Sequence, residues 1–190
     1  MLGLVTMTRD EAYQLVTDWT KNPNLVKHML AVEAQMRALA KHFGENEDDW
    51  GLAGLIHDAD YEKWPKEHPQ HTLDELTHRQ APEWLINAIR AHAWNYNGQT
   101  QEPKTKMEWA LYTGDELSGL IIACALVQPD KKLSAVTLES VKKKWKKKDF
   151  AAGVHREQIA LCEEKLGIKL DDFINLCLKA LQDIAPKLGL

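Results

Sequence analysis

The stretch at residues 52–64, LAGLIHDADYEKW, constrains this chain most, because an apolar run leads directly into His57 and Asp58. The apolar residues predict a buried segment, where an isolated ionised carboxylate is costly unless it is paired or bound to a metal. Successive side chains on a helix diverge by about 100°, so His57 and Asp58 cannot both point to one outward face. A cation near the helix end would satisfy both residues. The alternative is local: His57 bonds to a backbone carbonyl and Asp58 caps the next turn.

The rest of the sequence predicts an all-α protein. The clearest helical stripe is at residues 25–43, where apolar residues recur in alternating steps of four and three. Thr8 and Glu11 form a capping box ahead of the first helix, and Pro23 is well placed to start the second. The sequence contains no alternating β-branched runs joined by hairpin dipeptides. Later helices are predicted over 71–79, from Pro82 to about Tyr96, from Pro103 to Pro129, and over 138–145, 156–166 and 171–184.

Composition and charge exclude several classes of protein. The length of 190 residues suits one domain, and the net charge of −4 gives no general reason to expect nucleic acid as a partner. Cys124, Cys162 and Cys177 include no CxxC pair and are typical of reduced core thiols. The N-terminus turns polar too early for a signal peptide, and the longest apolar run, 117–127, is too short to span a bilayer. We therefore expect a cytoplasmic protein with no membrane partner.

Other helices also place a polar residue on the side predicted to be buried. His28 shares the apolar face of its helix, where a lone histidine is more often a satisfied core residue than a ligand. Asp115 precedes the most apolar segment of the chain, although Glu116 beside it could be the inward residue instead. His92 lies on the inner side of its helix, and His71 begins the helix after a loop.

These polar residues together favour a metal over separate coincidences. Each one alone also fits a buried ion pair or a hydrogen-bonded core residue. Imidazole and carboxylate ligands without thiolate suit Zn²⁺, Mn²⁺, Fe²⁺, Co²⁺ or Ni²⁺. Helices packed around a common core can bring such residues to one point.

The order His28, then His57 and Asp58, then Asp115 resembles the signature of the HD superfamily of metal-dependent phosphohydrolases. Three segments are similar to one bacterial branch of HD proteins: HDADYEKWPKEHPQH, ALYTGDELSGLIIACALVQP and SVKKKWKKKDFAAGVHRE. The resemblance implies a helical fold with a central metal held by these four residues. On this basis, residues 1–190 form a single HD-type domain with a metal-binding core at about 20–128, on which C-terminal helices at 133–186 pack.

Some HD families hold a second metal with two further histidines, and His71 and His92 stand in suitable order for that role. This sequence departs from the best-known pattern, since HDAD replaces HDIG and no lysine follows the HD pair by three residues. Lys63 and Lys66 are the nearest candidates for a phosphate contact, and Arg156 is another. The expected cofactor is a divalent ion (Mn, Co, Ni, Fe, Zn or Mg), with one site expected and a second left open.

The resemblance implies metal-dependent hydrolysis of a phosphomonoester or phosphodiester, with a nucleotide or another small phosphorylated metabolite as substrate. Asp58 would bridge two ions, and a histidine that binds no metal, His92 or His71, would protonate the leaving alkoxide. There are two alternatives: a di-iron oxygenase on the same fold, and a catalytically silent sensor or scaffold that binds a nucleotide.

A lysine run, KKKWKKK at residues 142–148, also invites a functional reading. It is either a solvated helix face, an element that attracts an anionic substrate, or a nucleic-acid contact. Stacking on bases requires exposed rings, and the only ring of the run, Trp145, shares an inward seam with Leu138 and Val141. We therefore predict that the run binds no nucleic acid.

Overall fold

Two helices of 21 residues each, α2 (Pro23–Phe43) and α6 (Lys106–Leu126), form the framework of the computed structural model, which describes residues 7–190. The other helices are α1 (Arg9–Trp19), α3 (Glu47–Ile56), α4 (Gln70–His78), α5 (Glu83–His92), α7 (Leu138–Trp145), α8 (Arg156–Leu161), α9 (Leu170–Asp183) and α10 (Ala185–Leu188). A 3₁₀ turn covers Leu133–Ala135 and a π-helical turn covers Cys162–Leu166. Residues 7–190 contain no β-strand, so the predicted all-α class is confirmed.

Local sequence signals set the ends of the first two helices. The Thr8 hydroxyl accepts from the backbone N–H of Glu11, whose carboxylate accepts from the backbone N–H of Thr8, so the predicted capping box forms. The Asn22 side chain caps α2, and Pro23 occupies its first turn. Gly44 ends α2 with a φ of 70°, a left-handed conformation that glycine adopts without steric cost.

Close packing of α3 on α2 places the end of α3 at the centre of the molecule. A Cβ atom on Gly54 would lie 2.8 Å from the carbonyl oxygen of Val32 and 3.0 Å from Cα of Glu33, so this approach requires glycine. Helix α6 packs on α2 and α5, while α8 packs on α6 and α9 packs on α2. The largest fully buried side chains include Met29, Met36, Leu39, Leu55, Ile56, Leu111, Leu117 and Leu120.

Helix α5 ends at His92, earlier than the predicted end near Tyr96. The reason is a turn in which Asn97 has a φ of 46°. The Asn97 amide donates to the carbonyl oxygens of Pro65 and His68, at 2.9 and 3.0 Å. The same turn contains Asn95 with a φ of 67°, so the chain cannot continue as a helix there, and the Asn97 contact anchors the loop that carries His68.

Two other helix boundaries differ from the sequence prediction. Helix α6 begins at Lys106, after Pro103, because the Thr105 hydroxyl accepts from the backbone N–H of Glu108 at 3.2 Å and caps the helix. The predicted helix over 156–166 is α-helical only as far as Leu161. Across the part of the chain described, residues 7–190, no helix has both the length and the apolarity needed to cross a bilayer.

Candidate metal centre

Four residues that we call group 1 converge on one point: His28 of α2, His57 and Asp58, which directly follow α3, and Asp115 of α6. Nε2 of His28 lies 3.2 Å from Nε2 of His57 and 2.9 Å from Oδ1 of Asp115. Nε2 of His57 lies 3.4 Å from the same Asp115 oxygen and 3.5 Å from Oδ2 of Asp58. The structure thus places close together the four residues that the resemblance implies as metal ligands.

A second set, group 2, consists of Asp58, His68 and His92. Oδ1 of Asp58 lies 3.4 Å from Nε2 of His68 and 3.6 Å from Nε2 of His92. The two Nε2 atoms are 3.1 Å apart. In each group, three ligand atoms lie within 4.8 Å of one another, a spacing that could hold a metal ion. Asp58 belongs to both groups and presents a different oxygen to each.

The other ring nitrogen of each histidine is already engaged. A carbonyl or carboxylate oxygen only accepts, so it places the proton on Nδ1 and leaves the lone pair of Nε2 facing the centre. Nδ1 of His28 pairs with the hydroxyl of Ser118 at 3.0 Å. Nδ1 of His57 donates to the carbonyl oxygen of Gly54 at 2.8 Å, and Nδ1 of His92 donates to that of Ile89. Nδ1 of His68 donates to Oδ1 of Asp60 at 2.7 Å.

This arrangement fits a divalent ion in each group. Two bare ring nitrogens about 3 Å apart repel each other unless a cation or a proton lies between them, and His68 and His92 of group 2 form such a pair. In group 1 the Nε2 atoms of His28 and His57 are 3.2 Å apart, so a proton or a cation must lie between them as well. Imidazole nitrogens and carboxylate oxygens are the ligands that Zn²⁺, Mn²⁺, Fe²⁺, Co²⁺ and Ni²⁺ accept.

Without a metal, the carboxylates of the centre favour a protonated His57. Burial lowers the pKa of His57, but Asp58 and Asp115 outweigh burial and raise this pKa to about 9. Burial raises the pKa values of Asp58 and Asp115, yet the charge of His57 lowers both well below the ordinary range. A proton on His57 thus takes the place of the cation, and metal binding must displace it.

The structure does not bring His71 into either group. Its ring stacks on Trp64 with centroids 4.0 Å apart, and its Nε2 lies 3.1 Å from Oε2 of Glu67. His68, which the sequence reasoning missed, takes this place instead. The signal that could have found it is Asp60, because a carboxylate two residues after Asp58 can orient a nearby histidine.

The three candidate phosphate contacts also lie elsewhere, and Lys66 is exposed and does not line the cavity described next. Nζ of the exposed Lys63 lies 4.3 Å from the ring centroid of Trp64. The Arg156 guanidinium donates to the backbone carbonyls of Trp145 at 3.0 Å and Lys147 at 3.2 Å, and also to that of Phe150. Arg156 therefore ties down the chain that follows α7, and neither Lys63 nor Arg156 lines that cavity.

A cavity of about 730 Å³ opens over both groups. Asp58, His68, His92 and Asp115 form its floor. The residues above the floor come from the turns after α3 and α5, from α6, and from α8 and the residue before it. They include Tyr61, Trp94, Tyr96, Tyr112, Glu116, His155, Glu157 and Gln158.

Comparison with known protein families gives a match for the segment that carries both groups. The family model described as HD domain matches residues 25–126, which extend from α2 to the end of α6. Neither the search of curated proteins nor the search of solved structures found a match.

Proposed function

The chain belongs to the HD domain family, and on that premise we propose that it hydrolyses a phosphomonoester or phosphodiester in a small metabolite such as a nucleotide. The observation that supports the proposal best is the position of Asp58, which faces group 1 with Oδ2 and group 2 with Oδ1. Asp58 would therefore help to hold a divalent ion in each group. Asp58 and Asp115 also line the cavity, so a substrate entering it reaches both groups.

In this proposal, some side chains of the centre would hold the ions and others position the histidine rings. Bound divalent ions lower the pKa of water and polarise phosphoryl oxygens, which is the chemistry that hydrolysis of a phosphoester requires. His28, His57 and Asp115 would hold one ion, His68 and His92 the other, and Asp58 both. Asp60 and Ser118 keep two of the rings in position.

His92 suits the role of a ligand better than that of the acid for the leaving group. Its Nδ1 donates to the carbonyl oxygen of Ile89, and its Nε2 faces His68 and Asp58. Burial lowers the pKa of His92, which keeps the ring neutral near pH 7. A neutral ring with both nitrogens engaged has no proton to give to a leaving alkoxide.

The test is product release from a panel of nucleotides, aryl phosphates and aryl phosphodiesters, by protein loaded separately with Mn²⁺, Co²⁺, Ni²⁺, Fe²⁺, Zn²⁺ and Mg²⁺, where phosphate reports hydrolysis of a monoester and the free phenol or nucleoside reports hydrolysis of a diester. We expect release by the unmodified protein and a loss of about 100-fold or more in Asp58→Ala. Asp149→Ala, which removes an exposed aspartate from a turn, is the matched control and should keep full activity. Absence of release above the Asp58→Ala background with every ion would overturn the proposal. Oxygen consumption by the Fe²⁺-loaded protein without phosphate release would favour an oxygenase instead.

A further inference from the structure

We propose that the cavity selects phosphoesters whose organic part is neutral or positively charged, and that Glu116 and Glu157 make this selection. The inference rests on the proposed function, since it names the substrate class of the same site. The two glutamates and His155 form what we call the outer wall, which lines the same cavity as groups 1 and 2.

Hydrogen bonds hold the outer wall together. The backbone N–H of His155 donates to Oε2 of Glu116 at 2.9 Å, and the ring Nδ1 of His155 lies 3.1 Å from Oε1 of Glu157. Both carboxylates are therefore fixed around one histidine at the start of α8. The wall contains two carboxylates and a single imidazole, which lies beside Glu157, so its net charge at neutral pH is negative.

Nothing on the cavity lining offsets this charge. Among the residues of the described chain that line the cavity, none is lysine or arginine. Lys63 and Arg156 point elsewhere, to the Trp64 ring and to backbone carbonyls. Positive charge would therefore come only from ions at the floor, and one phosphoryl group bound there would use it. A second phosphate or a carboxylate on the substrate would face the outer wall, where like charges repel.

Aromatic rings complete the space between the floor and the outer wall. The rings of Trp94 and Tyr112 have centroids 5.6 Å apart, and those of Tyr61 and Tyr96 are 6.5 Å apart. Such ring faces accept flat apolar groups and also cations. The cavity volume of about 730 Å³ lies within the range of small-molecule sites, roughly 300–1,000 Å³. The surroundings therefore suit a neutral or amine-bearing organic part.

The experiment compares alkyl phosphates of two to six carbons that end in an amine, a hydroxyl or a carboxylate. We expect kcat/KM to be highest for the amines and about tenfold lower for the carboxylates of equal length, which corresponds to about 1.4 kcal/mol. Binding of the matching alkylphosphonates, which cannot be hydrolysed, is measured by calorimetry on the metal-loaded protein and should follow the same order.

Charge reversal then identifies the residues responsible. In Glu157→Lys, the alkylphosphonates that end in a carboxylate should bind as tightly as those that end in an amine. Its side chain is 79% exposed, so the fold should tolerate the change. Glu139→Lys makes the same change of charge at an exposed position of α7 and should leave the order intact. Inhibition by inorganic phosphate, which has no organic part, should stay within about twofold of the unmodified protein in Glu157→Lys, as expected for an exposed charge outside the phosphoryl site.

The outcomes separate the two proposals. Phosphonate binding in the expected order without hydrolysis of any ester would support the charge selection and overturn the proposed reaction. Hydrolysis of the carboxylate-bearing esters at the same rate as the amine-bearing esters would support the proposed reaction and overturn the charge selection. An equal response to Glu157→Lys and Glu139→Lys would also overturn it, because the effect would then be one of net charge alone.

Discussion

Asp60 accepts a hydrogen bond of 2.7 Å from Nδ1 of His68, and both side chains are buried. The second carboxylate oxygen of Asp60 accepts from the backbone N–H of Thr72 at 3.0 Å, so the start of α4 holds the carboxylate in place. Burial raises the pKa of Asp60, but the bond from His68, the charge of His68 and the bond from the backbone N–H of Thr72 together outweigh burial and lower this pKa. The pair therefore fixes the tautomer of His68 and directs its Nε2 to Asp58.

The first prediction is that Asp60→Asn weakens metal binding at group 2 and spares group 1. An asparagine amide can donate to Nδ1 of His68 and so move the ring proton to Nε2, where the ion would bind. Loss of such a supporting carboxylate typically costs about 10–100-fold in metal affinity. Calorimetric titration with Mn²⁺ or Zn²⁺ should show one strong site where the unmodified protein shows two.

Asp74→Asn is the control for this substitution. Asp74 is an exposed residue of α4 whose carboxylate accepts from the Gln70 side chain at 2.7 Å. Its replacement should change neither the number nor the affinity of the bound ions. Two sites of unchanged affinity in Asp60→Asn would show that the Asp60–His68 pair does not support metal binding.

Helical periodicity, which is local information, marks His28 and Asp115 as polar residues near the core, and the resemblance to the HD superfamily implies that they join His57 and Asp58 as ligands. Periodicity places His28 on the buried face of α2, and the apolar segment after Asp115 marks α6 as a core helix. His68 escapes this reasoning because it lies in the loop before α4, where no period applies. Its position depends on Asp60 and on the Asn97 amide, which donates to its carbonyl oxygen.

The outer wall could not be predicted for a related reason. In the sequence, Glu116 stands out only as the neighbour of Asp115. Its hydrogen-bond partner in the structure, the backbone N–H of His155, comes from a segment 39 residues further along the chain. Helix α8 reaches the cavity through its packing on α6. Contacts of this kind depend on how helices are arranged in space, whereas the all-α class follows from the helical periods themselves.

The second prediction concerns pH. The pKa of His57 is raised to about 9 in the metal-free protein, above the ordinary value of 6.5 that the unfolded chain would show. A group with a raised folded-state pKa stabilises the fold fully below pH 6.5, and this contribution is lost as pH rises through about 9. Thermal unfolding of the metal-free protein should therefore show a Tm that falls between pH 6.5 and pH 9.

Metal binding requires the lone pair of His57, so the affinity for a divalent ion should rise over the same pH range. Near pH 7, titration in buffers of different ionisation enthalpy should show proton release on metal binding. His57→Gln should lose the fall in Tm, whereas His78→Gln, at an exposed position at the end of α4, should keep it. A metal affinity that does not depend on pH between 6.5 and 9 would contradict this prediction.

The third prediction assigns Arg156 to stability. The guanidinium donates to the carbonyl oxygen of Trp145, the last residue of α7, at 3.0 Å, and to that of Lys147 in the chain that follows at 3.2 Å. Lysine cannot reproduce this fork of donors, so Arg156→Lys should lower the free energy of unfolding by about 1–3 kcal/mol. Urea unfolding measures this loss, and inhibition by inorganic phosphate should stay unchanged.

Arg79→Lys provides the comparison for Arg156. Arg79 pairs with Glu75 at 2.6 Å on the surface of α4, and its replacement should cost less than about 0.5 kcal/mol. If Arg156→Lys left the stability unchanged and weakened the inhibition by phosphate, the result would instead indicate that Arg156 contacts the substrate.

The last prediction is that the lysine run at residues 142–148 does not bind nucleic acid. Val141 is fully buried, and Trp145 is partly buried against the core, so the only ring of the run is unavailable for stacking on bases. Nζ of Lys142 lies 2.6 Å from Oδ2 of Asp171, and Nζ of Lys144 lies 4.5 Å from the centroid of the Phe150 ring. The remaining lysines belong to a chain whose net charge is −4, so acidic residues elsewhere limit their positive field to the immediate surroundings of the run. Fluorescence anisotropy with single- and double-stranded oligonucleotides at near-physiological salt should show binding weaker than micromolar. Micromolar or tighter binding that disappears when these lysines are changed to glutamine would prove the prediction wrong.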